Sequence, residues 1–231
     1  MQKIDFDEYA DTYDDILKAQ LGFFSKDDKY FARYKAGFVR KYLKKQPKRI
    51  LEYGCGTGRN LPFLKEAFPL AEIYGSDISA KSVAIAKKQN QFARCCCLDE
   101  DFMQFLDYFD LIFVAGVFHH IAPNERVGVL KHINGLLSKT GSVFIFEHNP
   151  YNLITKKLVR ECPFDADAIL LSVNKINELL GKAGFVTILK KYTLFVPPSL
   201  ARLAKLERYL GWLPLGGQYC VQAKKIAYSE K

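Results

Sequence analysis

Short apolar runs alternate with longer amphipathic segments through the middle of the chain, and this alternation limits the fold more than any other feature. Five apolar runs predict strands, at residues 49–53, 72–76, 94–98, 110–114 and 142–146. The segments between them have helical periodicity, at residues 60–68, 79–91 and 123–137. Because parallel strands need crossover connections, this alternation predicts a parallel sheet with helices on both faces.

The two ends of the chain depart from the alternation. Residues 1–45 predict two helices before the first strand, and we expect them to form an N-terminal helical cap or lid. Residues 46–231 then form the main domain, with helical insertions expected near residues 150–183 and 197–210. The last two apolar runs, at residues 185–195 and 218–227, are expected to pair antiparallel at one edge of the sheet.

Composition excludes several classes of protein. With 49% hydrophobic and 26% charged residues, the 231-residue chain matches an ordinary globular protein. No run approaches the roughly 20 apolar residues of a membrane span, and the acidic start is unlike a signal peptide. The six cysteines contain no C-x-x-C pair that could begin a zinc or redox site. We therefore expect a cytoplasmic protein with reduced cysteines.

Charge is distributed unevenly. The first 28 residues hold three lysines and eight acidic residues, although the whole chain has a net charge of +9. A basic body can attract nucleic acid through its summed field. Its lysines and arginines are scattered along the chain, however, so we interpret them as solvated surface charge and do not predict a nucleic-acid partner.

The first strand runs into a glycine-rich turn that opens a helix. The segment LEYGCGTG, residues 51–58, has glycines at every second position from Gly54 to Gly58. Glycine permits a tight turn and a close approach of ligand to backbone, and open α/β sheets bind ligands at this end of their strands. The spacing is neither the G-x-G-x-x-G of dinucleotide folds nor a phosphate loop. We therefore rank an NAD-dependent oxidoreductase only third among the possible functions.

Further candidate groups follow the other strands. Asp77 ends the second strand, where a carboxylate can accept hydrogen bonds from both hydroxyls of a ribose. Asp99 follows the third strand, where it could meet the amine of an adenine, and Ala115 ends the fourth strand at the same edge. The combination favours a nucleoside-containing ligand.

Three segments resemble the class I S-adenosylmethionine-dependent methyltransferases. LEYGCGTG resembles that family's first motif, GSDIS its second-strand acidic motif, and FDLIFVAGVFHHI its fourth-strand motif. The resemblance covers residues 48–150 and implies an α/β, Rossmann-like fold, with a seven-stranded, mostly parallel sheet that has an antiparallel edge strand. It also implies S-adenosylmethionine as the cofactor and S-adenosylhomocysteine as the product.

The resemblance assigns residues to each part of this cofactor. Glu52 would face the methionine amino group, where the family more often has Asp. The backbone cradle would be formed by Gly54, Cys55, Gly56 and Gly58. Asp77 would bind the ribose. Ile78 and Leu98 would lie against the two faces of the adenine, and Asp99 would meet its amine. Ala115 would lie at the rim.

Histidines at two strand ends are the candidate proton acceptors. His119 and His120 follow strand four, and His148 follows strand five. Because adjacent parallel strands lie about 4.8 Å apart, these side chains should converge near the transferred methyl group. We favour His148 as the base; packing of one or more histidines and transfer without any base remain open. A metal ion could use the same side chains, but no carboxylate lies at an obvious ligand spacing, so we predict no metal.

The acceptor side is less clearly marked. FDEYADTY, residues 6–13, resembles the N-terminal lid that many small-molecule members of the family fold over the cofactor. Tyr13 is assigned to the cofactor and Tyr9 to the acceptor, with plain amphipathic packing as the alternative. Polar and aromatic residues around strand five complete the acceptor set, with loop-capping hydrogen bonds as their alternative role: Glu147, Asn149, Tyr151 and Arg160.

These observations predict methyl transfer to a small-molecule acceptor, most often to oxygen in such enzymes. A methyltransferase acting on RNA or another nucleic acid is the first alternative, although the residues after strand four, Gly116–His119, lack the Pro-Pro-aromatic signature of enzymes that methylate base amino groups. The second is a regulator that keeps the fold and binds the cofactor without catalysis.

Overall fold

A single seven-stranded sheet organises the protein. The computed structural model describes residues 4–21, 29–98, 104–196 and 206–226. The strands are β1 (Arg49–Tyr53), β2 (Glu72–Asp77), β3 (Ala93–Cys97), β4 (Phe109–Ala115), β5 (Leu137–His148), β6 (Phe185–Thr193) and β7 (Gln218–Lys225). Their order in the sheet is β3-β2-β1-β4-β5-β7-β6.

Strand pairing confirms the predicted fold class. The strands from β3 to β5 are all parallel neighbours, whereas β7 pairs antiparallel with both β5 and β6. The antiparallel pairing expected at one edge is therefore present. The antiparallel strand itself lies second from that edge, and β6 is the outermost strand.

Helices connect the strands as the alternation predicts. They are α1 (Phe6–Tyr9), α2 (Tyr13–Leu21), α3 (Tyr30–Tyr42), α4 (Leu61–Ala67), α5 (Ala80–Gln89), α6 (Arg126–Leu136), α7 (Leu153–Glu161), α8 (Val173–Lys182) and α9 (Glu207–Leu210). Short 3-10 turns cover Phe118–His120 and Pro163–Asp165. The first predicted helix is split by a turn at residues 10–12. Of the predicted insertion near 197–210, residues 197–205 lie outside the described residues.

Two hydrophobic cores cover the two faces of the sheet. On β4, Ile112 and Val114 pack into one core with α6 and α8, while Leu111 and Phe113 pack into the other with α3, α4 and α5. Because successive strand residues point to opposite faces, a sheet buried on both sides needs strands with continuous apolar runs, as β4 has from Leu111 to Val114. Because β1, β2, β4 and β5 are parallel, this packing places their carboxyl ends side by side along the same end of the sheet. In the described part of the chain, no helix combines the length and apolar character that a bilayer crossing would require.

Candidate active site

The glycine turn after β1 is fastened to the end of β2. Asp77 Oδ2 accepts a hydrogen bond from the Gly56 N–H at 2.7 Å, and Asp77 Oδ1 accepts one from the Ser79 N–H at 3.0 Å. Gly54 and Gly56 have φ values of +76° and +51°, which disfavour any side chain. A Cβ at Gly54 would also collide with Val117, whereas the space beside Gly56 is open. The turn thus leaves room for a ligand against its own backbone.

Glu52 lies beneath this turn with one oxygen unused. The Asn60 side chain donates a hydrogen bond to Glu52 Oε1 at 2.5 Å, and the buried Oε2 has no hydrogen-bond partner among the described residues. Burial raises the pKa of Glu52 to about 8, against the opposing effects of the Asn60 hydrogen bond and the charge of Lys35. Glu52 therefore holds its proton at neutral pH in the cofactor-free chain, and a cationic partner such as the ammonium group of a methionine moiety would favour its ionised form.

A cavity of about 550 Å³ begins at this turn, within the size range of small-molecule sites. Most of the residues predicted to bind the cofactor line it: Tyr13, Gly54, Cys55, Gly56, Asp77, Ile78, Leu98 and Ala115. Glu52 and Gly58 are buried just behind the wall, and Asp99 lies outside the described residues. The turn, the Glu52 oxygen and Asp77 together fit an S-adenosyl amino acid in chemical terms.

The histidines converge as predicted from the strand ends. His119, His120 and His148 all line the cavity, and the His119 ring centroid lies 4.1 Å from that of His120 and 5.0 Å from that of His148. His119 Nδ1 lies 2.6 Å from Glu147 Oε2 and His120 Nδ1 lies 3.2 Å from Asp167 Oδ1. The His148 imidazole has no hydrogen-bond partner within the described ranges. Of the three, only His148 therefore offers an imidazole that is not already held by a carboxylate.

Charges inside the cavity shift the ionisation of these groups. Burial alone would lower the pKa of His119, but the charges of Glu147 and Asp165 raise it to about 9. Burial, reinforced by the neighbouring His119, lowers the pKa of His148 to about 4. On the opposite wall, burial lowers the pKa of Lys35 to about 8. At neutral pH one imidazole is thus protonated and the other is neutral.

The five side chains assigned to the acceptor do not line the cavity. Glu147 is buried and committed to His119 and to the backbone N–H groups of Val117 and Phe118. Asn149 is buried too, because its amide donates to two carbonyl groups of the loop before β7, those of Pro214 and Gly216.

The other three of these side chains lie away from the wall for different reasons. Tyr151 is 58% exposed, and Arg160 is exposed on α7. Tyr9 packs edge-on against Phe164, at a centroid distance of 6.3 Å. The alternative of loop-capping hydrogen bonds describes Asn149 best, since it accepts the Tyr151 N–H as well. We therefore do not assign the acceptor to these five residues.

Other residues take their places. Lys35 from α3 and the carboxylates Asp165 and Asp167 line the cavity, and no site role was predicted for any of them. They come from segments distant in sequence from the motifs, and only the long-range packing brings them together. The one signal in the sequence was that Asp165 lies five positions after Arg160, which was assigned to the acceptor.

The acidic N-terminal segment is tied to the site by its carboxylates. Asp7 Oδ1 accepts hydrogen bonds from the Ser79 hydroxyl at 2.6 Å and from the Lys81 N–H, at the start of α5. Asp14 Oδ1 lies 2.7 Å from Arg59 Nη1 in the glycine turn. Tyr13 stacks on Phe164 at 4.7 Å, which closes the cavity from above. Two of the acidic residues that make the N-terminal segment negatively charged thus attach it to the site.

Comparison with known proteins agrees with this geometry. A family described as "Methyltransferase domain" matches residues 51–143. A demethylmenaquinone methyltransferase of Thermotoga maritima is 32% identical over 148 residues, which cover 64% of this chain and 61% of that protein. A malonyl-[acyl-carrier protein] O-methyltransferase of Legionella pneumophila is 33% identical, covering 63% of this chain and 49% of that one. The chain thus spans about half to three fifths of the length of these relatives.

Solved structures share the fold across almost the whole chain. A methyltransferase in complex with the Trm112 methyltransferase activator, from Haloferax volcanii, superposes with a TM-score of 0.70 at 17% identity and covers 98% of this chain and 100% of that one. The sequence matches, the common fold and the fitted cofactor seat agree with one another. The chain therefore contains a methyltransferase domain over residues 51–143 and has the fold of solved S-adenosylmethionine-dependent methyltransferases.

Proposed function

We propose that the protein transfers a methyl group from S-adenosylmethionine to an oxygen atom of a small-molecule acceptor. The observation that carries this proposal is the continuity of the cavity, which runs from the glycine turn past Gly116 to His148 and on to an apolar wall. The name of one relative, an O-methyltransferase, agrees with oxygen as the acceptor atom.

The chain's residues fit the cofactor along its length. Glu52 Oε2 would accept from the ammonium group, the backbone around Gly56 would lie against the amino-acid chain, and Asp77 would bind the ribose. Ile78 and Leu98 would border the adenine. When bound, the cofactor supplies a methyl group activated by a positively charged sulfur, and a dry, aligned site is what such a transfer requires.

The far end of the cavity suits an acceptor with a substantial apolar part. Its wall is formed by side chains of α3, α7 and the segment after β6: Phe31, Ile154, Leu158, Val159, Phe195 and Val196. Burial of apolar surface would supply most of the acceptor's binding free energy, and a few polar groups would orient it. We assign this end to the acceptor because no cofactor-binding residue lies there.

His148 is our candidate for the proton acceptor. It is the last residue of β5 and lines the cavity, and its imidazole has no hydrogen-bond partner among the described residues. A hydroxyl acceptor must lose its proton as the methyl group arrives, and a positioned imidazole can take it. His119 and His120 are each held by a carboxylate at Nδ1, so we do not assign this role to them.

The N-terminal helices complete the proposal as a cap over residues 46–231. Asp7 and Asp14 fasten α1 and α2 to the cofactor end, and Tyr13 stacks on Phe164 above the histidines. Such a cap excludes water from a site at the sheet edge. None of the six cysteines forms a disulfide, in keeping with a cytoplasmic location.

The charge of the cavity wall disfavours a nucleic-acid acceptor. Among the described lining residues four carboxylates outnumber three cations: Asp77, Glu125, Asp165 and Asp167 against Lys35, Arg59 and the protonated His119. Arg59 is already paired with Asp14. A wall of this sign repels a phosphate backbone. A small molecule is therefore the better acceptor.

Turnover with labelled cofactor tests the proposal. The protein is incubated with S-adenosylmethionine and a panel of apolar phenols, carboxylic acids and amines, and S-adenosylhomocysteine is measured. We expect turnover on at least one hydroxyl or carboxyl acceptor, and a loss of about 10²–10⁴-fold in kcat for His148→Ala with unchanged cofactor affinity. His132→Gln, which alters the one histidine away from the cavity wall, is the matched control.

Two results would contradict the proposal. Cofactor binding without turnover on any member of the panel would favour the non-catalytic regulator. Turnover on RNA, with a steep dependence on salt and none on small molecules, would favour the nucleic-acid enzyme.

A further inference from the structure

A cluster of two imidazoles and one carboxylate lies on the cavity wall below the N-terminal helices. His119 and His120 come from the 3-10 turn after β4, and Asp165 comes from the 3-10 turn after α7. Asp165 Oδ1 lies 3.2 Å from His120 Nε2 and 3.6 Å from His119 Nε2. One ligand atom from each of the three side chains lies within 4.8 Å of the others.

The other nitrogen of each ring is held by a separate carboxylate. Glu147 Oε2 lies 2.6 Å from His119 Nδ1, and Asp167 Oδ1 lies 3.2 Å from His120 Nδ1. Both carboxylates are fixed in turn, because Glu147 accepts two backbone N–H groups and Asp167 accepts that of Ile4. With Nδ1–H donated to these carboxylates, both Nε2 atoms face Asp165, and a bound ion would replace the proton on His119 Nε2. This carboxylate–histidine arrangement is the one that orients imidazoles toward metals.

The spacing also suits a metal ion. Nitrogen and oxygen ligands about 2.0–2.2 Å from a zinc ion at tetrahedral angles lie about 3.3 Å apart, close to the two distances measured here. Two imidazoles and one carboxylate are a ligand set for zinc, iron, cobalt or manganese rather than for calcium or magnesium. Because all three side chains line the cavity, a fourth coordination position would face it.

From this geometry we propose that His119, His120 and Asp165 form a three-ligand site for a divalent transition-metal ion, with Zn²⁺ the closest match. Glu147 and Asp167 are positioning residues that orient the two rings. This differs from the absence of a metal that the sequence predicts, because Asp165 is 45 positions beyond His120 and reaches it only through the fold. If the proposed methyl transfer holds, an ion here would bind the acceptor's oxygen and favour its deprotonated form.

Metal binding can be measured without any turnover. The full chain is stripped with a chelator and titrated with Co²⁺, whose visible absorption reports few-coordinate nitrogen and oxygen ligation, and then with Zn²⁺ in competition. We expect one ion per chain. His120→Ala and Asp165→Asn should each weaken binding by at least about 100-fold, and Asp167→Asn by about 10–100-fold. His132→Gln, outside the cluster, should bind as the wild type does.

Equal affinity in the wild type and the Asp165→Asn variant, or failure of the wild type to bind an ion stoichiometrically, would overturn the metal site. Thermal unfolding of each variant shows whether it is folded, and Asp165→Glu, which keeps a carboxylate ligand, should restore binding if Asp165→Asn does not fold. Calorimetry with S-adenosylmethionine on the stripped protein separates the two proposals. Failure to bind an ion, together with turnover on a small-molecule acceptor, would reject the metal site alone, whereas metal binding without turnover on any acceptor would reject the proposed function alone.

Discussion

The two ends of the cavity are assembled in different ways. The cofactor end comes from consecutive strand ends and the turns that follow them, so most of its residues lie between Glu52 and Leu98. The acceptor end draws on α2, α3, α7, the turn after β4 and the loop after β6, which are far apart in the sequence. The first end is fixed by local backbone geometry and the second by long-range packing. Substitutions should therefore act differently at the two ends.

The largest effect is expected at the glycine turn. Gly54→Ala should weaken cofactor binding by more than about 100-fold, because the new Cβ would meet Val117 and the left-handed backbone would be strained. Isothermal titration calorimetry with S-adenosylmethionine checks this. Gly128→Ala is the control, since it lies in open space on α6 and should raise stability by about 0.4–1 kcal/mol. A folded Gly54→Ala protein with normal affinity would show that the turn is not the cofactor seat.

A second prediction concerns Glu52, where one substitution should raise the stability of the protein and weaken cofactor binding. Folding raises its pKa from 4.5 to about 8, so the folded chain holds a proton that the unfolded chain releases. The wild type therefore loses stability as pH rises from about 4.5 to 8. Glu52→Gln removes this loss, and its advantage in free energy of unfolding should grow to about 4 kcal/mol by pH 8. The same variant should bind the cofactor about tenfold or more weakly.

Denaturant unfolding of the cofactor-free proteins at pH 5 and pH 8 measures the stability difference. Glu66→Gln, an exposed carboxylate on α4, is the matched control and should show no such pH dependence. A Glu52→Gln variant that is less stable than the wild type at pH 8 would contradict the ionisation described for Glu52.

At the acceptor end a smaller and more selective effect is expected. Leu158→Ala shortens a side chain of the apolar wall and should lower kcat/KM for an apolar acceptor by about tenfold, with the cofactor Kd unchanged. Steady-state kinetics and calorimetry on the same preparation check both quantities. If cofactor affinity fell by the same factor as kcat/KM, the cofactor and acceptor ends of the cavity would not act independently.

The smallest effect is expected at the tie between cap and turn. Asp14→Ala removes the partner of Arg59, and the cofactor Kd should rise only about threefold because the pair is partly exposed. Asp15→Ala, an exposed carboxylate on the same helix, should leave the Kd unchanged. If Asp14→Ala and Asp15→Ala behave alike, the tie does not hold the cap.

The same contrast explains what the sequence could predict. Strand positions were predictable because burial on both faces demands apolar runs, and the turn because glycine serves a backbone need that is visible in sequence. Asn149 and Glu147 carry polar groups at the expected strand end. In the structure, however, Glu147 accepts hydrogen bonds from nearby backbone N–H groups and Asn149 donates to nearby carbonyl groups, so neither faces the cavity. Asp165 and Lys35 reach the cavity through packing of α7 and α3, which no spacing in the sequence encodes. Most residues predicted to bind the cofactor therefore line the cavity, whereas the residues of the apolar wall were not predicted.

Glu147 has a consequence for how a ligand reaches the cavity. Its carboxylate joins the end of β5 to the turn at Val117–His119, and the Ile169 N–H fastens that turn from the other side by donating to the His119 carbonyl. Because these hydrogen bonds fix the turn to the sheet, we expect the cavity to open by movement of the N-terminal helices. We therefore expect acceptor and product to pass beneath α1 and α2, so that the pace at which these helices lift would limit the rate of exchange.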